Sequence, residues 1–115
     1  VISSVSSIAC SGLTVATRRL EQSANNVANL ETDNFAAQRE QASALAPAGV
    51  GSAPQPTSAP HPVAIDDGGA SHLLSNTDLI SETTERLGAT QAFRANLAVL
   101  RTDDEMTRSL LDIKA

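Results

Sequence analysis

The sequence predicts a mainly α protein. Long N- and C-terminal helices pair as an antiparallel coiled coil, joined by an extended Pro/Gly/Ala-rich middle with at most a small β-hairpin. Three observations lead there. Apolar residues near both ends recur at alternating three- and four-residue steps, the period of a coiled-coil seam. Between them, all five prolines fall within residues 47–62, and proline removes a backbone donor and blocks regular helix. Only 2% of residues are aromatic although 41% are hydrophobic, which suits a thin helical seam better than a thick core. The expected divisions are 1–35 for the first helix and the polar motif at its end, 36–77 for the linker or small hairpin, and 78–115 for the second helix. A small chain of this kind often gains its stability by oligomerising.

The first helix is expected to run from Ser3 or Ser4, either of which can cap it, to about Asn29. Its stripe is Ala9, Leu13, Ala16, Leu20, Val27 and Leu30, with Ser23 in the gap and Ile2 extending it backwards. Gly12 costs up to about 1 kcal/mol relative to alanine inside a helix. It marks either a close helix–helix approach or a neutral surface position. In the middle, short extended pieces fit at 35–39 and 62–65, and the rest of 44–69 reads as linker. The second helix starts at Asn76, Thr77 or Asp78, with Ser75 and Asp78 at the spacing of a weak capping box. Its stripe is Leu79, Ile80, Leu87, Phe93, Leu97, Leu100, Met106, Leu110 and Ile113, with a change of phase near Asp103 that suggests a stutter or a change of partner. The expected seam between the helices is Leu13, Ala16, Leu20 and Val27 against Phe93, Leu97 and Leu100. Glu82 with Arg86 and Asp104 with Arg108 are i,i+4 pairs worth a few tenths of a kcal/mol, as on a solvated face. The acidic run Asp103-Asp104-Glu105 is either such a face or an ion-pairing site for Arg18, Arg19 or Arg101 of a neighbouring copy.

Composition and spacing exclude several function classes. A net charge of −5 without a basic cluster argues against nucleic acid, which is bound through grouped Lys and Arg. No segment is long and apolar enough to span a bilayer, and the helix faces are mixed or acidic where surface-binding helices are basic, so direct membrane insertion is not expected. Cys10 is the only cysteine; it has no disulfide partner and reads as a small buried hydrophobe. His61 and His72 lie near Asp66 and Asp67 without helical ligand spacing, so no metal is expected. Ser71 and Ser75 beside His72 lack an oriented base and a water-excluding scaffold. Gly49-Val50-Gly51 and Gly68-Gly69 lack the context of a phosphate loop and read as turns. The expectation is a chain with no catalytic residues and no cofactor. The N-terminus shows no charged region followed by an apolar one, so no Sec-type signal peptide is expected.

One polar segment stands out: Ser23-Ala24-Asn25-Asn26-Val27-Ala28-Asn29, running on through Thr32 to Phe35. Asparagine is a poor helix former because its side chain competes for nearby backbone groups. Three of them at one helix end point to a specific use. The segment resembles the N-terminal signature of the flagellar rod and hook family, S-A-N-N-(I/V)-A-N-x-x-T-x-G-(F/Y), departing only where Asn34 replaces Gly. Asparagine is the non-glycine residue that best tolerates the left-handed conformation. Near the other end, Ala92, Phe93, Ala95, Asn96, Val99 and Leu100 are similar to the family's pattern A-x-R-A-(Y/F)-x-A-N-x-x-V-(L/I), with Gln91 in place of its Arg.

The resemblance, most like a small proximal-rod protein, implies a structural subunit of the bacterial flagellar basal body. Such proteins pass unfolded through the flagellar type III export apparatus without a Sec signal and assemble in the periplasm. They pair with copies of themselves and with other flagellar rod proteins in a tubular helical array that transmits torque from motor to hook. On that reading Asn25, Asn26, Asn29 and Asn96 are the polar residues that set register between neighbours, since buried polar groups specify register. The residues alone leave open a soluble helical-hairpin adaptor or export chaperone, or a subunit of another filament.

Overall fold

Residues 4–114 are described in the computed structural model. Val1, Ile2, Ser3 and Ala115 lie outside them, and with them the Ile2 end of the first stripe and the Ser3 cap. The elements are α1 (Ser4–Ala28), β1 (Gln38–Ala44), β2 (Val50–Pro56), β3 (Val63–Ile65), β4 (Ser71–Leu73) and α2 (Leu79–Lys114).

Local chemistry sets the start of α2 and the turn that follows α1. Asp78 caps α2: its carboxylate accepts the Ile80 N–H at 3.2 Å and the Ser81 hydroxyl at 2.8 Å, satisfying donors that have no partner inside the helix. Ser75 does not form the expected capping box; its oxygen accepts the Thr77 N–H at 3.1 Å instead. After α1 the chain turns through Asn34, whose φ of 59° is left-handed. The asparagine thus does what glycine would do there, and its N–H donates to the Leu73 carbonyl at 2.8 Å.

The helices run antiparallel. The Ser6 hydroxyl donates to Asp103 at 2.8 Å, Arg19 meets Glu85 at 2.7 Å, and the Ser23 hydroxyl reaches the Glu82 carbonyl at 3.3 Å. The side chains between them are small or polar. On α1 the buried residues are Ala9, Val15, Ala16, Ser23 and Asn26; on α2 they are Glu82 and Ala89. Ala9, Ala16 and Ser23 follow one another at seven-residue steps, as do Glu82, Ala89, Asn96 and Asp103. A Cβ on Gly12 would lie 2.5 Å from the Asn96 Oδ1, so Gly12 marks a close approach. Leu13, Leu20, Val27, Phe93, Leu97 and Leu100 are half-buried beside this line, and Ala16 is buried within it. Cys10, expected to be buried, is exposed.

The middle of the chain overturns the predicted fold class. Instead of an extended linker with at most one small hairpin, it forms two separate antiparallel two-stranded sheets, β1–β2 and β3–β4. The molecule is therefore a helical hairpin with a distinct β region, not a mainly α coiled coil with a linker. The prolines allow this because of where they fall. The Thr57 N–H donates to the Ala37 carbonyl and the Leu45 N–H to the Gly49 carbonyl, so the odd-numbered residues of β1 carry the ladder bonds. Pro54 and Pro56 sit opposite Glu40 and Gln38, at positions whose N–H would point away from the partner strand, and cost no ladder bond. The tip holds a cis Ala46–Pro47 peptide and Gly49 at φ 107°. In the second hairpin the Asp66 carboxylate accepts the N–H groups of Gly68 and Ala70 at 3.0 and 2.9 Å.

The molecule measures 80 × 24 × 14 Å with a radius of gyration of 20.2 Å. A compact chain of this length has about 13 Å.

Candidate functional site

α1, β1 and α2 meet at one buried polar junction, and Asn26 of the Asn-rich motif is its centre. A strand whose outer edge lacks a neighbour leaves backbone groups unpaired. Here the Asn26 side chain takes the neighbour's place. Its Nδ2 donates to the Gln38 carbonyl at 2.7 Å and its Oδ1 accepts the Gln38 N–H at 3.2 Å. The same Nδ2 donates to Glu82 Oε1 at 3.0 Å. The Thr77 hydroxyl donates to the Asn26 carbonyl at 3.1 Å.

Glu82 is 1% exposed, and a buried carboxylate must be paired to be tolerated. Arg39, the second residue of β1, supplies the charge. Its guanidinium reaches Glu82 Oε1 at 3.0 Å and Glu85 Oε2 at 3.1 Å. Arg19 of α1 closes the chain of charges on Glu85 Oε1 at 2.7 Å. Partial burial pushes the Glu85 carboxyl up, but hydrogen bonds and charge from Arg19 and then Arg39 outweigh it and hold it below the usual glutamate range. Glu82 Oε2 is buried without a partner, so Oε1 carries the whole of this carboxylate's bonding. Asp78, at the start of α2, is likewise held low by the Ser81 hydroxyl and then the Ile80 N–H.

A second junction lies one turn before α2. Asn76 is buried; its Oδ1 accepts the Ala37 N–H at 2.6 Å, and its Nδ2 donates to Thr57 Oγ1 at 3.2 Å and the Ala59 carbonyl at 3.0 Å. A third fixes the tip of the first hairpin: the Ser11 hydroxyl accepts the Val50 N–H at 3.2 Å while donating to the Ile8 carbonyl at 2.6 Å. Ser11 and Asn26 stand about 22 Å apart along a helix rising 1.5 Å per residue. The six steps from Gln38 to Ala44 span about 20 Å of strand. The hairpin is therefore the right length to lie along α1, pinned at both ends.

The other motif asparagines behave differently. Asn25 is exposed and accepts from the Asn29 Nδ2, at 2.9 Å through its carbonyl and 3.3 Å through Oδ1. Asn29 Oδ1 accepts the Thr32 hydroxyl at 3.0 Å. Asn96 packs on Gly12 and donates to the Ala92 carbonyl at 2.8 Å. Glu82 bonds Arg39 and not Arg86, whereas Asp104 does pair with Arg108 at 3.1 Å. His72 lies 3.6 Å from Asp33 at the surface, and His61 Nδ1 is 2.7 Å from the Leu74 carbonyl. Among the described residues no group of three or more His, Cys, Asp or Glu is placed to hold a metal, and no helix is long and apolar enough to cross a membrane. The geometry is that of a joint: it fixes three elements to one another.

Beyond the joint, α2 continues uncovered. With Ser6 facing Asp103, its last turns run past the start of the described α1. Met106, Leu110, Leu111 and Ile113 there are 61–82% exposed. This terminal stretch belongs to the region with a known counterpart: residues 73–113 match the family model described as flagellar basal body rod FlgEFG protein C-terminal. The C-terminal part of the chain is thus similar to the C-terminal region of flagellar basal-body rod proteins. That match supports a structural role in the flagellar rod, in the basal body and among rod proteins. No curated protein matches the chain.

Proposed function

We propose that this chain is an axial subunit of the flagellar basal-body rod. It self-assembles with other rod proteins into a tubular helical array in the periplasm and transmits torque from motor to hook. It reaches that site unfolded, through the flagellar type III export apparatus. The observation that carries the reading is the mismatch between core and surface. The buried hydrophobic residues are Ala9, Val15, Ala16, Ala37 and Ala89, while Ile80, Leu87, Met106, Leu110, Leu111 and Ile113 are each more than 60% exposed. Apolar surface of this extent on one long helix marks an association surface, and burying it stabilises by roughly 25 cal/mol per Å².

In this account the half-buried Leu13, Leu20, Val27, Phe93, Leu97 and Leu100, with Ala16, form the seam within the subunit. The exposed Asn25 and the half-buried Asn29, at the end of α1, set register toward neighbours, and Asn96, packed on Gly12, sets it within the subunit. Stiffness arises from many modest helical contacts repeated over the lattice. The test is Leu97→Asp in cells: the variant is expected to be absent from isolated basal bodies. Basal bodies containing it at normal abundance would refute the seam.

A further inference from the structure

The two hairpins carry four outer edges, and these are not alike. Residues whose N–H and C=O point outward are the even-numbered ones in β1 and β2, as the Ala37–Thr57 and Leu45–Gly49 bonds require. At the base of the hairpin Asn26 occupies the outward groups of Gln38, and at its tip Ser11 occupies the outward N–H of Val50. α1 thus covers β1's edge at one end and β2's edge at the other. The uncovered part of β2's edge holds Pro54 and Pro56, which have no N–H to offer. The uncovered part of β1's edge holds Ala42 and Ala44, both exposed, whose outward N–H and C=O groups have no partner among the described residues.

β3–β4 shows the same asymmetry. The Asp66–Ala70 and Leu74–Pro62 bonds put the outward groups on the odd-numbered residues. On β4 the outward Leu73 carbonyl is taken by Asn34. On β3 the outward groups of Val63 and Ile65 have no partner among the described residues, and these β-branched residues are 61% and 73% exposed. An edge of this kind is a template for pairing with another chain.

We propose that the outer edge of β3 in one copy pairs with the outer edge of β1 in the next, joining two hairpins of neighbouring subunits into a four-stranded sheet at each contact. The proposal rests on the self-assembly reading above. Each edge presents two residues with outward donors and acceptors at two-residue spacing. The bulky Val63 and Ile65 face the small Ala42 and Ala44, so side chains of complementary size lie across the new pair. A contact of two or three residues per strand buries far less than the ~1,000 Å² a free partner or isolated dimer needs. Its occupant is therefore a strand already held close by other contacts, which is a neighbouring copy. Because the two edges differ, the contact is heterologous, the kind that repeats from copy to copy in a ring or helical array.

The experiment uses the full chain in hook–basal bodies isolated from cells, in a Cys10→Ala background. Two single-cysteine chains, Ala42→Cys and Ile65→Cys, are expressed together; opposed residues in such a pair lie about 5.5 Å apart, within disulfide reach. Cross-linked dimers are expected from the co-expressed pair and not from either chain alone. Ala42→Pro removes only an outward N–H, so the hairpin keeps its ladder bonds. Incorporation is expected to fall about tenfold, the effect of one lost hydrogen bond and a blocked approach, and Ile65→Pro is expected to match it. Should a proline variant fail to fold, the cross-link decides. If the background chain assembles but both proline variants assemble equally well and no cross-link forms, the edge pairing is wrong and the rod reading stands. If the background chain is missing from basal bodies altogether, the rod reading fails and the pairing with it.

Discussion

Replacing Asn26 with alanine tests the joint most sharply, because its neighbour Asn25 provides an internal control. The substitution removes four hydrogen bonds: two to the edge of β1 at Gln38, one to the Glu82 carboxylate, and a long one of 3.5 Å from the Gln22 amide within α1. Gln38 is exposed, so water replaces much of what it loses and those bonds are worth about 1 kcal/mol together. Glu82 cannot be rescued in this way. Its Oε2 already lacks a partner, and Oε1 is left with Arg39 alone. Losing a hydrogen bond to a buried charge costs about 1.5–3 kcal/mol. The expected total is about 2.5–4 kcal/mol, a large share of the ~5–15 kcal/mol that holds a typical domain folded. Asn25→Ala touches only exposed contacts within α1 and is expected to stay within about 0.5 kcal/mol. Urea unfolding followed by helical circular dichroism gives both values, and amide exchange at Gln38 shows whether the hairpin has come loose. Equal, small effects from Asn26→Ala and Asn25→Ala, with Gln38 still protected, would refute the junction.

Three further outcomes are expected. Gly12→Ala, normally favourable inside a helix by about 1 kcal/mol, should destabilise by about 1–3 kcal/mol because the new methyl meets Asn96; adding Asn96→Ala should recover most of the loss in a double-mutant cycle. Lowering the pH should loosen the junction. The folded Glu85 pKa lies below its ordinary value of 4.5, so its contribution is complete above that value and is lost as pH falls through the lower folded one. Glu85→Gln should flatten the acid limb of the stability curve, which acid titration of urea midpoints would reveal. Asn34→Val should cost about 1–2 kcal/mol, because a β-branched residue is strained at φ 59°, whereas Asn34→Gly should be neutral or stabilising; thermal unfolding compares the two directly.

The helices were legible because period and caps are local signals. α1 and α2 lie within two residues of where spacing puts them, and Asp78 was among the three candidate caps. Which face of each helix turns inward was harder to see. The stripe of large apolar residues draws the eye to Leu79, Ile80 and Leu87, whereas the contact line of α2 is Glu82, Ala89, Asn96 and Asp103. A glutamate reads as surface until its partner is known, and Arg39 lies 43 residues away. The only hint was that Glu82 and Asn96 share the seven-residue step of Ala89, opposite a run of small residues on α1. The β region was hidden for a different reason. Most of β1 and β2 is exposed, so nothing requires apolar and polar residues to alternate. Their register is set by the turn and by Asn26, Ser11 and Arg39, contacts between residues far apart in sequence. Proline, read as a breaker, sits at the two positions where a strand tolerates it.

The most direct test of the central claim is quantitative mass spectrometry of purified, detergent-washed hook–basal bodies. The account predicts this chain at a stoichiometry comparable to the established rod subunits. Its clear absence from those particles, with the protein recovered in the soluble fraction, would contradict an axial structural role.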